Sequence, residues 1–425
     1  MKQGKIFTTL IVLFVLALFM GTSVQAQTTW FVDAQYGLDT YDGQFAIPNQ
    51  GGVGTGPKLT LQNAIDAAVA GDIISVAPRG ITNPYNLNTT ISINKNLSFR
   101  VTPNATGGFS GTPNSGNVAI AGDISIGAFT LTLLNDPAQP TFLFELRPGW
   151  DIAFTGATGS LTNAQFLQFS GTAGAGLENI VTRNTDATVF VGTPVFGTGA
   201  IVDLVYNNAL AFTANGVGTE WSSPVRNVTA TGSGAVRLGA SRTMTGILTL
   251  GSGNLSLEGN TLTVNNTGAT AHALGTASIT SASPTSGALT LTGAGNQTWA
   301  GGGAIPTLND QSSGTAVNSF AAVATVNGSV NLTVGTGNLT LTAVNLVTAG
   351  VSNTTASNIV FSLAGAVTVG SSGTFTVSNT GGGQITFAQN LLDLAGITSL
   401  LQTGNGTISV GGTTIIDGNV TNGGS

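Results

Sequence analysis

The chain has 425 residues, 61 of them glycine and none cysteine, with 11 Lys or Arg, 17 Asp or Glu and a net charge of −6. Disulfides do not hold it together, and a hydrophobic content of 41% excludes disorder throughout, since disordered chains combine low hydrophobicity with high net charge. Every Lys and Arg lies at or before Arg242, so residues 243–425 carry no cation to replace released counterions, which argues against nucleic acid as a partner.

Lys2 and Lys5 precede an apolar run from Ile6 to Met20, with small residues at Val24 and Ala26. This pattern reads as a secretory signal peptide over 1–26. The run is shorter than the roughly 20 residues of a membrane span, so cleavage is expected, leaving a secreted or outer-surface protein with no transmembrane span. The expected organisation beyond it is an N-terminal strand, loop and capping helix with the first coil strand over 27–80, then repeats over 81–425.

One short segment breaks the composition of the chain. In "GPKLTLQNAIDAAVAGDIISVAP", Gly56 to Pro78, the residues Leu61, Ala64, Ile65, Ala68 and Val69 fall at helical spacing. The spacing predicts a helix over roughly Thr60 to Ala70, with Leu61, Ile65, Ala68 and Val69 inward and Gln62, Asn63 and Asp66 toward water. Gly71 permits a left-handed turn after it, and "DIISVAP" continues as a buried strand ended by Pro78.

From about Asn117 onward a short alternating strand followed by a Gly or Asn turn recurs. "GILTLGSGNLSLEGNTLTVNNTG" (Gly246 to Gly268) holds three such units, and the rhythm returns in Asn327 to Val347 and in Ala364 to Gly396. Period two is the strand period. Nearly 400 residues of short strands would be large for one sandwich, whereas a solenoid grows one coil at a time. The expected fold is therefore all-β, a right-handed parallel β-helix (β-solenoid) with a short N-terminal capping α-helix, at roughly 15 coils and on the order of 70 Å long. The helix closes an end that would otherwise present unpaired backbone and an apolar floor.

Three pieces, "WFVDAQYGLDTYDG", the helix segment and "ISINKNLSFRV", give Trp30 to Val101 a likeness. The stretch resembles the N-terminal portion of bacterial secreted proteins of the pectate-lyase-like right-handed β-helix superfamily. That resemblance implies a capped solenoid and leaves activity open, because lyases, hydrolases and adhesins share the cap. Residues 200–268, with "TEW" at Thr219 to Trp221 and "RTMTGILTL" from Arg242, look like repeats of surface proteins exported by a type IX-like route. Those proteins usually end in a sorting domain, which is expected to be missing after Ser425 or replaced by another means of retention.

Enzymes of the implied fold need converging acids, with a basic residue in the lyases. Asp123, Asp136, Glu145, Asp151, Glu178, Asp186, Asp203 and Glu220 read as scattered turn acids that do not recur at coil spacing beside a base. Asp33, Asp39 and Asp42 form the densest cluster and raise the question of calcium, against the plainer reading that each accepts turn N–H groups. The lone His272 lacks a serine elbow or metal-ligand spacing and reads as packing. Trp150, Trp221, Trp299 and Tyr206 read as core, with sugar stacking the alternative. Alternating Thr raises an ice-binding face, which irregular coil lengths oppose, and Asn88 and Asn338 in Asn-x-Ser/Thr triplets read as turn residues. No catalytic, cofactor or metal residue is assigned. The expected role is a non-enzymatic structural or adhesin-like solenoid presenting a repetitive polar face to extracellular glycans or cell surfaces. The alternative is a polysaccharide lyase or glycoside hydrolase with its site among residues 123–242.

Overall fold

A computed structural model describes residues 26–422 except 80–83, 86–87, 102–116, 136–140, 172–176, 210–216, 223–224, 282–285 and shorter stretches between 302 and 418; side chains are described as far as Thr386. Of the segment 1–26 read as a signal peptide, residues 1–25 lie outside them. Every strand pairing is parallel, and successive strands of each sheet come from successive coils. The chain is a parallel β-helix. No helix among the described residues is long and apolar enough to cross a membrane.

One sheet of 14 strands, from Ile91–Ile93 to Thr407–Val410, runs the length of the solenoid. At about 4.8 Å per strand it is about 60 Å long. Coils vary from the 33 residues between Ile91 and Ile124 to the 20 between Val228 and Leu248. Alternation places every second residue of a strand inward, so Ile91, Ile124, Ile152, Val181, Leu204, Val228 and Leu248 stack in register and are buried. Each such aliphatic side chain contributes about 1.5–3 kcal/mol on burial.

Two other sheets complete the first half, ending at Phe190–Val191 and Val195–Phe196. New flanking sheets begin at Val236–Arg237 and Arg242–Met244, and among the described strands only the long sheet bridges the change. The junction is filled from inside. Arg183 Nη1 meets Glu220 Oε1 at 2.6 Å, Trp221 donates its Nε1–H to the Thr243 carbonyl at 2.9 Å, and Arg242 donates to the carbonyls of Trp221, Val217 and Gly218. The "TEW" and "RT" pieces thus serve one place, where the cross-section is rebuilt.

The helix spans Leu61–Ala67, shorter than its periodicity predicts. Thr60 caps it by accepting from Asn63 N–H at 3.3 Å, and Leu61, Ala64 and Ile65 are buried. It packs against Thr29–Val32, Ile73–Val76 and Ile91–Ile93, the first strands of two sheets, so it closes the amino end. Gln62 accepts the N–H of Ser92 at 2.8 Å, meeting an edge group that no earlier coil supplies. The expectation that Val69 packs inward is corrected, since it is 43% exposed. Asp72 draws Val69 N–H out of the helix at 2.9 Å, and Ala68 is already extended. Gly71 takes φ +94°, the left-handed turn expected of it.

Candidate functional site

The strongest cluster of functional side chains lies where the chain enters the long sheet. The strands Ile124–Ile126, Ile152–Phe154 and Val202–Tyr206 carry Asp123, Asp151 and Asp203 in one outward file at their starts. Asp123 Oδ1 accepts Asp151 N–H at 3.0 Å, 28 residues on, and Asp151 Oδ1 accepts Ile180 N–H at 2.7 Å, 29 residues on. Asp203 Oδ1 accepts Asn227 N–H at 3.0 Å, 24 residues on. Asn227 repeats the contact with Ile247 N–H at 2.8 Å. Each side chain therefore joins its coil to the next.

This corrects the expectation that the acids do not recur at coil spacing beside a base. Glu178 lies two residues before Ile180, the residue in register with Asp203, and Arg226 reaches Glu178 Oε1 at 2.9 Å and both oxygens of Asp203 at 3.0 and 2.5 Å. A repeated "D-I/L-x-apolar" pattern marks the positions, in "DISI", "DIAF" and "DLVY", and is the signal that finds them. Burial raises the Asp151 carboxyl above its ordinary range, and the charges of Asp123, Glu178 and Asp203 add to this against the Ile180 hydrogen bond. The two carboxylates hold the Arg226 guanidinium firmly protonated, which removes it as a proton acceptor.

The other acids lie apart. Glu145 accepts from Asn117 at 3.0 Å and from Ser170 on a flanking sheet, the Asp186 carbonyl accepts from Arg183 at 3.1 Å, and Glu220 is buried in the junction. Asp136 lies outside the described residues. The three N-terminal acids are directed to separate partners. Asp33 pairs with Arg79 in the interior; Asp39 accepts Leu59 and Thr60 N–H at 3.1 and 3.0 Å; Asp42 accepts Gln44 and Gly56 N–H, each at 3.1 Å. Among the described residues no group of three or more His, Cys, Asp or Glu is arranged to hold a metal.

Compared with protein-family models, curated proteins and solved structures, the chain matches none.

Trp221, Trp299, Tyr206 and His272 are each 1% exposed, and Trp150 is half-buried against the core. The exposed large hydrophobics among the described residues are all aliphatic, and the aromatic next to the acids, Trp150 beside Asp151, is half-buried. Asn88 sits in a left-handed turn and Asn338 accepts the next coil's N–H at 2.9 Å.

The second half of the solenoid offers a different surface. Along the nine-stranded flank, Thr243, Thr263, Thr290, Asn309, Asn331, Ser352 and Ser378 follow one another in register, Thr290 buried and the other six half-buried. Asn331 donates to Asn309 at 2.8 Å, so the file is itself hydrogen-bonded along the axis. The corner ladder also becomes neutral, with Asn296, Asn338 and Asn358 accepting from the following coil at 2.8–2.9 Å.

Proposed function

We propose that the chain is a secreted or surface-exposed, adhesin-like β-solenoid of the pectate-lyase-like superfamily, whose neutral flank attaches to extracellular glycans or cell surfaces. The observation that carries this reading is the in-register file from Thr243 to Ser378, hydroxyl and amide side chains repeated once per coil. Each group forms a weak hydrogen bond, and repetition along a rigid axis multiplies them without a single dominant site. With no Lys or Arg after Arg242, neutral glycans are favoured over uronates or sulfated chains. A glycan array read at low and high salt tests this. Binding to neutral glycans that persists from about 50 mM to about 1 M salt is expected, since no ion pairing is involved; an array with no bound glycan or cell-wall fraction removes the reading.

A second reading is favoured by the Asp151, Glu178, Asp203 and Arg226 cluster. Asp151, whose carboxyl is raised, would serve as general acid in a glycoside hydrolase. Its mark is release of reducing sugar from a polysaccharide that Asp151→Asn abolishes. The lyase form is disfavoured by Arg226 being held by two carboxylates, and would instead release unsaturated uronates.

A further inference from the structure

His272 stands in the long sheet where a side chain, not a ladder carbonyl, accepts a strand N–H. Its strand, Thr270–Gly275, keeps a single in-register pair with Leu248–Leu250, Thr249 opposite Ala273, where Val228–Ala230 keeps three with that same strand. On the other side its pairing with Gln297–Gly301 shifts register between Ala273 and Gly275. The ring points inward, is 1% exposed, and lies 3.9 Å from the ring of Trp299 at 18°; Trp299 in turn stacks on Phe320 at 5.4 Å.

The hydrogen bonds fix the ring's protonation. Nδ1 accepts the Leu248 N–H at 3.0 Å, so the neutral ring carries its proton on Nε2; Asn266 Nδ2 lies 3.3 Å from Nε2, and the Asn266 carboxamide accepts that proton once its oxygen is turned to this side. The strands of Leu248 and Trp299 bring no charged side chain to the ring, and Gln297 brings only a carboxamide. The nearest carboxyl in the network is Asp310, reached through Asn318, which accepts from Gln297 N–H and donates to Asp310. On the far flank Glu258 pairs with Arg237, and Arg242 is committed to backbone carbonyls.

We propose that protonation of His272 opens the solenoid between Leu248–Leu250 and Thr270–Gly275, making this seam an acid-triggered release built into the fold. A proton on Nδ1 turns the acceptor into a donor facing the Leu248 N–H, and it places a charge among apolar rings with no counter-ion in contact. Relief comes when the strand leaves the sheet. The opening starts here because the Leu248 N–H is held by the ring itself, so protonation removes a bond of the seam, and the register shift beyond Ala273 leaves the next ladder irregular. Burial outweighs the Gln297 contact and lowers the ring's pKa to about 4, so the opening belongs to acid surroundings.

The sequence holds one histidine, so the full chain labelled with 15N-histidine gives one imidazole to follow. The expected result is an Nε2–H tautomer at neutral pH and a protonation midpoint near pH 4. Deuterium uptake over 248–250 and 270–275, corrected for intrinsic exchange, rises about tenfold or more across the same midpoint. The coils at Ile124–Ile126 and Ile152–Phe154 stay protected through that rise. His272→Phe keeps a flat ring and removes the titration, and its local acid opening is expected to vanish. A midpoint at about 6.5, the value of a solvated imidazole, overturns the proposal. So does uptake that rises uniformly along the solenoid, or a local opening that persists in His272→Phe. Where that variant does not fold, the midpoint and the locality of exchange in the natural chain decide.

Discussion

Arg183 and Glu220 face each other across the junction of the two halves, Nη1 to Oε1 at 2.6 Å, with side chains 1% and 0% exposed. Arg183 also donates to the carbonyls of Thr185 and Asp186 at 3.0 and 3.1 Å, so the pair ties a corner of one coil to the "TEW" turn of the next. Desolvating two charges is costly, and losing one partner strands the other. Glu220→Ala is expected to cost about 3–5 kcal/mol, while a paired Arg183→Met, Glu220→Leu exchange costs far less. Urea midpoints of the two variants measure the contrast; equal losses would mean that the charge pairing is not what the junction depends on.

Asp72 holds the cap. It accepts Thr28 N–H, Trp30 Nε1–H and Val69 N–H, each at 2.9 Å, and so joins the first strand, the helix exit and the second strand. Asp72→Ala leaves three donors to find water, with an expected loss of about 1.5–3 kcal/mol. Faster amide exchange confined to Thr29–Val32 and Leu61–Ala67 is the local sign, and unchanged exchange there would show that the helix is held by its apolar face alone.

Asp151 carries a built-in opportunity to stabilise the fold. Its carboxyl is raised by burial and by its acidic neighbours, so the folded state binds the proton more tightly than the unfolded chain. Stability from this group is present at low pH and is lost as pH rises from the unfolded value through the folded one. Asp151→Asn keeps an oxygen for Ile180 N–H, as Asn227 does for Ile247. A gain of about 0.5–1 kcal/mol at pH 7, fading at acid pH, is expected in denaturant titrations.

His272 acts in the opposite sense. Its pKa is lowered from 6.5 to about 4, so between these values the unfolded chain binds more protons. Its contribution is full above pH 6.5 and falls by about 3 kcal/mol as pH drops toward 4. Asp310, raised by burial, opposes this fall. The difference between the natural chain and His272→Phe isolates the histidine: it should shift by about 3 kcal/mol in favour of the variant as pH falls through that window, and a constant difference would contradict a buried neutral ring.

Much of the architecture is legible in the chain itself. Alternation in "NLTLTAV" and its relatives specifies strands, the Gly and Asn between them specify turns, and the spacing of Leu61, Ala64 and Ile65 specifies the cap. Alternation fixes which residues share a face, but not which face is inside. Ile247 therefore reads as apolar pattern and emerges 42% exposed. Conversely, polar side chains enter the core. Asn353 sits inward, accepting Thr355 N–H at 3.0 Å and donating to the Ser357 carbonyl at 2.8 Å, so that it holds a buried corner.

The amino-acid sequence by itself determined strand, turn and cap, because those depend on neighbours a few positions apart. Tertiary structure alone decided that Asp123, Asp151, Glu178, Asp203 and Arg226 share one edge and that His272 lies beneath Trp299. Coil lengths differ from turn to turn, so residues more than twenty positions apart become neighbours only through the register that backbone pairing sets.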